Sequence, residues 1–495
     1  MNNIYKLSII LIVIACLNSC NNDFLNLNPK TQLSEEVFFK TPDDFKSALN
    51  GTYSVLQEGN MYGSSWYVFS EIPSDNTSNQ LSGSVSDQDE FDKFYIRTLN
   101  PYLANFWNSS YNGIHRANTI ITRIDVIEMD VDLKERYKLE ATFLRALMYY
   151  NLVRVFGDVP LIKEPITIQE SYQLTRTKVE DIYTSIIADL KLATKLPTSY
   201  TGNDIGRTTS GAAKSLLGSI YMTQSDFKKA QTVFEEVIQS GKYQLLENTP
   251  GDINIDGYAS VFDPNNHNHK ESIFDVQFKK GGFGEGSGFA NNFAPENSGT
   301  NVVPVGGTGG NNLPTMDMYN AYEDNDLRRD YSMALGYYNA QNSNKWVNAL
   351  HITKYKDTPY QSYDSNNNWP VIRYADVLLM YAEALNENGE TSKACDYLNM
   401  VRRRGFGYNT NEVSPYDMNT IDKNAFKDMV DHERRVELAF EGHRWFDLIR
   451  TKKAVELMKS KGFKLNATNL ICPIPQEQID LNKNLTQNEY IIEPK

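Results

Sequence analysis

The stretch Gly211-Ala212-Ala213-Lys214-Ser215-Leu216-Leu217-Gly218-Ser219-Ile220-Tyr221, followed after a polar break by Ala230-Gln231-Thr232-Val233-Phe234, decides the fold class. Its spacing, Leu-Gly-x2-Tyr and then Ala-x3-Phe, is that of a tetratricopeptide helical hairpin. Small residues at 218 and 230 let two helices approach closely, and the aromatics fill the groove between successive hairpins. The Trp and Pro slots hold Lys214 and Lys242, so the unit is degenerate. A second unit over 375–408 sets Ala382, Leu385, Ala394 and Leu398 in equivalent slots, with Asn388-Gly389 as its turn. One hairpin cannot bury its apolar face alone, so more units are expected, and 132–195 and 423–460 are the candidates.

Helical periodicity extends outward from this unit. Over 177–195, Val179, Ile182, Tyr183, Ile186, Ile187, Leu190 and Ala193 form one apolar face. Thr177-x-x-Glu180 reads as a capping box, and Pro197 stops the chain beyond the end. Thr41-Pro42-Asp43-Asp44 opens a helix with proline in its first turn. Further helices are predicted over 34–57, 101–127, 132–156, 209–223, 226–240, 370–388, 391–404, 423–440 and 443–460. Residues 241–369 differ. Gly281-Gly282, Gly306-Gly307 and Gly309-Gly310 mark loops, and only short runs such as Ser272 to Phe278 read as strands. The expected architecture is mainly α: one domain over 20–495, with repeat helices at about 34–240 and 370–460. A loop-rich ligand-binding insert, about 241–369, would separate them. Long loops on a rigid scaffold usually carry function.

The N-terminus sets the compartment. Lys6 precedes an apolar run from Leu7 to Leu17, too short to span a bilayer comfortably and right for a signal peptide. Leu17-Asn18-Ser19-Cys20 resembles a bacterial lipobox, so residues 1–19 are expected to be removed and Cys20 lipidated. The mature protein would then be anchored to a membrane rather than spanning it. Of the remaining cysteines, Cys395 reads as a small buried residue on a helix, and its pairing with Cys472 stays open.

The 495 residues carry a net charge of −13, which argues against nucleic acid as the main partner. Tyrosine is abundant, with 30 Tyr and 5 Trp against 23 Phe. Tyrosine joins a flat apolar ring to a polar tip and suits wet binding surfaces.

Five blocks together point to a family. They run from Asp23-Phe24-Leu25 and Phe38-Phe39-Lys40-Thr41-Pro42-Asp43-Asp44-Phe45 through Glu140-Ala141-Thr142-Phe143-Leu144-Arg145-Ala146 to Phe156-Gly157-Asp158-Val159-Pro160-Leu161. Pro370-Val371-Ile372-Arg373-Tyr374-Ala375-Asp376 follows. Glu433-Arg434-Arg435-Val436-Glu437-Leu438-Ala439-Phe440-Glu441-Gly442-His443-Arg444-Trp445-Phe446-Asp447-Leu448 is the most specific, and Pro473-Ile474-Pro475 with Gln487-Asn488-x-Tyr490 closes the chain. In this order, behind a lipobox, the chain resembles the SusD/RagB-like outer-membrane nutrient-binding lipoproteins of Bacteroidetes. The resemblance implies a non-catalytic, cell-surface glycan-binding lipoprotein of polysaccharide utilization. It would act as a hinged lid on a SusC-like TonB-dependent β-barrel, with the repeat helices against the barrel and the irregular region facing the glycan. Two alternatives remain: a lid that captures peptide or glycoprotein, and a surface glycoside hydrolase, since two well-spaced carboxylates would suffice for the chemistry.

Sugar binding calls for flat rings against C–H faces, with short polar groups around them. Trp66, Tyr67, Tyr337, Tyr338, Trp346 and Trp369 lie in polar or Asn-rich surroundings outside the repeats and are the candidate stacking residues, with core packing as the competing reading. Trp107 and Trp445 fit core positions. Asp252-x-Asn254-x-Asp256-Gly257 with Asp263 at the twelfth place has the spacing of a calcium loop. It ends in Asp rather than Glu, so a plain Asp/Asn/Gly turn is the alternative, and no other cofactor is expected. The cluster Glu433, Arg434, Arg435, Glu437, Glu441 and Arg444 reads as Arg–carboxylate pairs that hold helices in register. His432-Glu433 lacks the second histidine of a zinc-protease helix.

Overall fold

The computed structural model describes residues 38–79, 87–251, 253–339 and 344–491. The expected signal segment and Cys20 lie outside them. Helices of seven or more residues are, in chain order, α1 (Pro42–Gln57), α2 (Pro101–Arg123), α3 (Val131–Phe156), α4 (Val179–Ala193), α5 (Ser210–Thr223) and α6 (Phe227–Gln239). After the insert come α7 (Tyr374–Glu387), α8 (Thr391–Gly405), α9 (Lys423–Glu437), α10 (Arg444–Arg450) and α11 (Ala454–Ser460). Each helix from α1 to α9 packs on the next, which is the one-dimensional stacking of a solenoid. Of the two further hairpins expected, the one over 132–195 is present as α3–α4 ahead of the α5–α6 unit, whereas over 423–460 α9 packs back on α7 and α8 rather than pairing with α10; α6 packs directly on α7 across the insert.

Close approach explains the small residues. A Cβ on Gly218 would lie 2.4 Å from the Phe234 ring, so only glycine lets α6 press its aromatic onto α5. Helix starts follow local chemistry where a cap is available. At α1 the Thr41 hydroxyl accepts from Asp44 N (3.3 Å) while the Asp44 carboxylate accepts from Thr41 N (2.8 Å), a complete capping box.

Several sequence expectations are corrected. Thr177 and Glu180 form no box: Thr177 N donates to Val159 O at 3.0 Å, and the start of α4 is capped from a distance by Asp158, whose Oδ1 accepts from Val179 N at 3.0 Å. The predicted helix 370–388 begins instead as a strand, β4 (Trp369–Arg373), antiparallel to β1 (Ser272–Val276). Pro370 disfavours helical backbone at the residue before it, and the β-branched Val371 and Ile372 suit a strand. The helix predicted over 443–460 splits at Lys452, whose φ of 60° turns the chain between α10 and α11. Between β1 and β4 lies the hairpin of β2 (Met333–Asn339) and β3 (Lys345–Ile352). No helix among the described residues is long and apolar enough to cross a membrane.

Candidate loop-face binding site

The insert is a layer of loops locked onto an aromatic floor. Tyr355 and Trp369 stack with centroids 5.7 Å apart and planes 2° apart, Phe289 tilts onto Trp369 at 5.1 Å, and Tyr67 meets Phe293 edge-on at 5.3 Å. Above this floor, short polar side chains bind backbone. Asn291 donates to Val305 O (3.0 Å) and Gly307 O (2.7 Å) and accepts from Tyr363 N (3.0 Å). Asp364 accepts from Gly282 N at 2.7 Å, and Ser287 and Ser365 exchange backbone hydrogen bonds of 2.9 Å. From a short helix, Phe289–Phe293, Asn291 thus ties together two loops, around 305–307 and 363.

Two features of this layer face outward. The first is the tip of the β2–β3 hairpin, where Tyr338 and Trp346 are cross-strand partners. Their rings meet edge to face at 5.1 Å and remain 57% and 49% exposed. Trp346 Nε1 donates to Asn348 Oδ1 at 2.6 Å, which fixes the indole. Asn301 Nδ2 donates to Tyr338 O (2.7 Å) and Asn344 Oδ1 (3.0 Å), tying the tip to the neighbouring loop. The second is an open groove of about 450 Å³. Gln57, Glu58, Gly59, Gly63 and Ser64 line one side, and Gly284, Glu285, Gly286, Gly288, Asn292 and Tyr363 the other. Tyr363, with φ of 60°, presents a half-exposed ring there, and Tyr360 and Phe283 are exposed on adjoining loops.

Of the six aromatics singled out by sequence, the structure leaves Tyr338 and Trp346 exposed and together. Tyr337 alternates to the other face of its strand and is buried edge-on against His351 at 6.2 Å. Trp66, Tyr67 and Trp369 are corrected to core positions. Trp66, 3% exposed, lies stacked on Phe446 at 5.6 Å, beneath Gly442, where a Cβ would meet Nε1 at 2.7 Å. Trp369, 1% exposed, and Tyr67 belong to the aromatic floor. Burial pushes the Tyr67 hydroxyl far above the ordinary tyrosine range, with Tyr102 adding to it. Their polar sequence neighbours carry no information about tertiary burial, which is why sequence misplaced them. Tyr360, Tyr363 and Phe283 were missed, although each sits beside glycines or asparagines already marked as loop signals.

The described calcium-spaced residues bond to nearby backbone and side chains, and Asp256 opens a short helix, Asp256–Val261. Asp252 lies outside the described residues. Asp256 accepts from Thr249 N (2.9 Å) and Gly257 N (3.0 Å), Asn254 donates to Thr249 O (3.0 Å), and Asp263 accepts from Asn265 N (2.9 Å). Among the described residues, no three His, Cys, Asp or Glu side chains are grouped as a metal site would need. Cys395 and Cys472 are both free thiols.

The charged block around α9 is a buried lattice, as the pairing reading expected. Arg328 reaches Glu433 (2.6 Å) and Glu437 (2.8 Å), Arg373 reaches Glu437 (2.6 Å), Glu441 (2.6 Å) and Glu271 (2.9 Å), and Arg404 reaches Glu437 (2.5 Å). Arg434 bridges Asp376 (2.7 Å) and Asp447 (2.9 Å), and Arg444 holds Asp75 (2.8 Å). Burial alone would raise the Glu437 carboxyl, but Arg404, Arg373 and Arg328 outweigh it and hold the group far below the usual range. These carboxylates are each engaged by at least one guanidinium. Trp107 and Trp445 are buried, as expected.

Comparison with known proteins gives this geometry a setting. Residues 327–490 match the model of the SusD family, and residues 23–222 match a model described as starch-binding and associating with the outer membrane. SusD-like protein P2 of Formosa agariphila is 28% identical over 98% of this chain and 99% of its own. A solved laminarin-binding SusD-like protein is 28% identical, with a TM-score of 0.74 over 91% of this chain and 99% of that one. The surface glycan-binding protein A from Bacteroides fluxus, at 24% identity, shares the fold with a TM-score of 0.76 over 91% of this chain and 99% of its own.

Proposed function

Because the chain belongs to the SusD/RagB family, we propose that it is a surface lipoprotein that captures oligo- or polysaccharide on its loop layer and passes it to a SusC-like TonB-dependent β-barrel. Members of the family are carbohydrate-binding proteins, generally without catalysis. The observation that carries the reading is the hairpin tip, where two large rings stay exposed although 495 residues could have buried them. Exposed, oriented rings beside amide groups suit the C–H faces and hydroxyls of sugars. The Tyr363 groove supplies a second contact zone on the same loop layer. In this reading the anchor is Cys20, and the lid and delivery roles are those the family resemblance implies.

The test is affinity electrophoresis and calorimetry of the lipid-free chain on a panel of neutral and charged polysaccharides, with laminarin first because a relative is named for binding it. Retention on at least one glycan, reduced in Trp346→Ala and Tyr363→Ala, is expected, with no new reducing ends after long incubation. Sustained release of reducing ends would replace the reading with a hydrolase. Peptide binding with no glycan retained would replace it with a peptide-capturing lid.

A further inference from the structure

Charge is one-sided around the Tyr363 groove. Its lining holds two carboxylates, Glu58 and Glu285, and no Lys, Arg or His. Glu58 reaches it from the end of α1, and its Oε2 accepts from Ser109 Oγ at 2.7 Å. Glu285 is exposed on the opposite wall. Among the described residues, no cation lies within ion-pair distance of either carboxylate. The cations nearest in sequence are engaged elsewhere. Lys279 N donates to Glu285 O at 2.8 Å, but its ammonium lies 5.9 Å over the Phe283 ring. Lys280 Nζ donates to Asp357 Oδ1 (2.7 Å) and Thr358 O (2.8 Å). Residues 281–312 supply one wall of the groove and, through Asn301, brace the hairpin tip, and their only charged side chains are Glu285 and Glu296.

This arrangement separates glycans by charge. A sugar hydroxyl both donates and accepts, so carboxylates, the Asn292 amide and the Ser64 hydroxyl can all receive it. A uronate or a sulfate ester only accepts, and in this groove it meets no ammonium or guanidinium and is repelled by two carboxylates. Taking the loop layer as a glycan site, a reading on which this step rests, we infer that the groove selects an uncharged chain. Glu58 and Glu285 are the residues that exclude carboxylated and sulfated ones. Hydroxyls of the chain donate to the two carboxylates while a sugar face lies on Tyr363. One cation, Lys345, is exposed at the hairpin tip, so the discrimination belongs to the groove and not to the tip.

The test uses the full lipid-free chain and glycans matched in everything but charge: laminarin, amylose and cellulose, each as its hydroxyethyl and its carboxymethyl derivative at the same low degree of substitution. Calorimetry is run at about 0.02 M and about 1 M NaCl, where screening lengths are roughly 20 Å and 3 Å. A backbone that binds should do so about tenfold more tightly as the hydroxyethyl derivative at low salt, and the gap should close to about twofold at high salt. The Glu58→Gln, Glu285→Gln double variant should narrow the low-salt gap similarly, with Gln at 58 keeping an acceptor for Ser109. Should the double variant fail to fold, Glu285→Gln alone, at an exposed loop position, should narrow the gap part of the way, and the salt series reads the same repulsion on the unaltered protein. A carboxymethyl derivative, alginate or a sulfated galactan bound more tightly than every neutral chain overturns the inference and leaves glycan capture standing. A low-salt gap that neither salt nor the variants alter does the same. Retention of no glycan, neutral or charged, overturns glycan capture itself and the inference with it.

Discussion

Around α9, charge is buried and paired several times over; across the loop layer, charge is sparse, amides do the tying, and the large rings face water. The two regions solve different problems. A lattice in which Glu437 meets Arg328, Arg373 and Arg404 gives directional links between the insert, β4, α8 and α9, segments that are distant in sequence. Such links stabilise only when complete, since desolvating each ion costs several kcal/mol and must be offset by its partners. The loop layer cannot use this device, because a binding face must leave donors and rings available. It uses Asn291, Asp364 and Ser287 to satisfy loop backbone, and leaves Tyr338 and Trp346 outside.

The largest effect should come from breaking the lattice. Glu437→Leu removes the carboxylate that three buried guanidinia share, leaving each with fewer partners, and is expected to cost about 3–5 kcal/mol, seen as a large fall in thermal midpoint or loss of soluble protein. A loss below about 1 kcal/mol would mean that the lattice relaxes and water enters, contrary to its burial.

The solenoid should respond next. In Gly218→Val the new Cβ meets the Phe234 ring, which must move or force α5 and α6 apart. Overpacking of this kind costs about 1–3 kcal/mol. Adding Phe234→Leu should restore part of the loss, and a double-mutant cycle on urea midpoints measures the coupling.

A smaller, pH-dependent effect separates the frame from the binding face. Burial pushes Glu71 up to about 8, against the hydrogen bond from Gly442 N and the nearby Lys354 ammonium, which pull it down. Its Oε1 accepts from Gly442 N at 2.7 Å, while Oε2 is buried without a partner. A carboxyl raised in the folded state contributes fully below its ordinary range near 4.5, and the contribution is lost as pH rises through about 8. The native chain should therefore lose stability between about pH 5 and 8 on this account. Glu71→Gln keeps an acceptor for Gly442 and removes the titration. Its thermal midpoint relative to the native chain should rise from pH 5 to pH 9, and a constant difference would show that Glu71 titrates normally. Glycan affinity should be unaffected, because Glu71 belongs to the frame.

Legibility in the sequence divides along the same line. The α5–α6 hairpin could be read because Gly218, Tyr221, Ala230 and Phe234 meet through local helical spacing. The lattice could be read as pairing because its residue types admit few other buried solutions, although the partners Glu271 and Arg328 come from the insert and no pattern announced them. Trp66 and Trp369 could not be placed, since burial depends on what packs above them: Gly442 in one case, Tyr355 and Phe289 in the other. The strand at 369–373 was hidden by its continuity with α7, although Pro370 marked the boundary. Tyr363 owes its exposure to a left-handed turn that only the folded loop reveals.

The smallest expected effect on stability lies at the hairpin tip, and there its smallness is the informative result. Tyr338 and Trp346 pack on each other, with the indole also lying across Gly336, and both stay about half exposed, so Ala at either position should change stability by less than about 0.5 kcal/mol. An edge-to-face pair is worth about 0.5–1.5 kcal/mol when buried, and less when water surrounds both rings. If the pair exists to hold two planes ready for a ligand, each Ala variant should lose about 2- to 10-fold in glycan affinity while the melting curve stays in place. The double variant then decides between two kinds of contact. Losses that add mean that each ring touches sugar independently. A double variant no worse than Trp346→Ala means that Tyr338 acts by orienting the indole, as the Asn348 hydrogen bond already does from the other side.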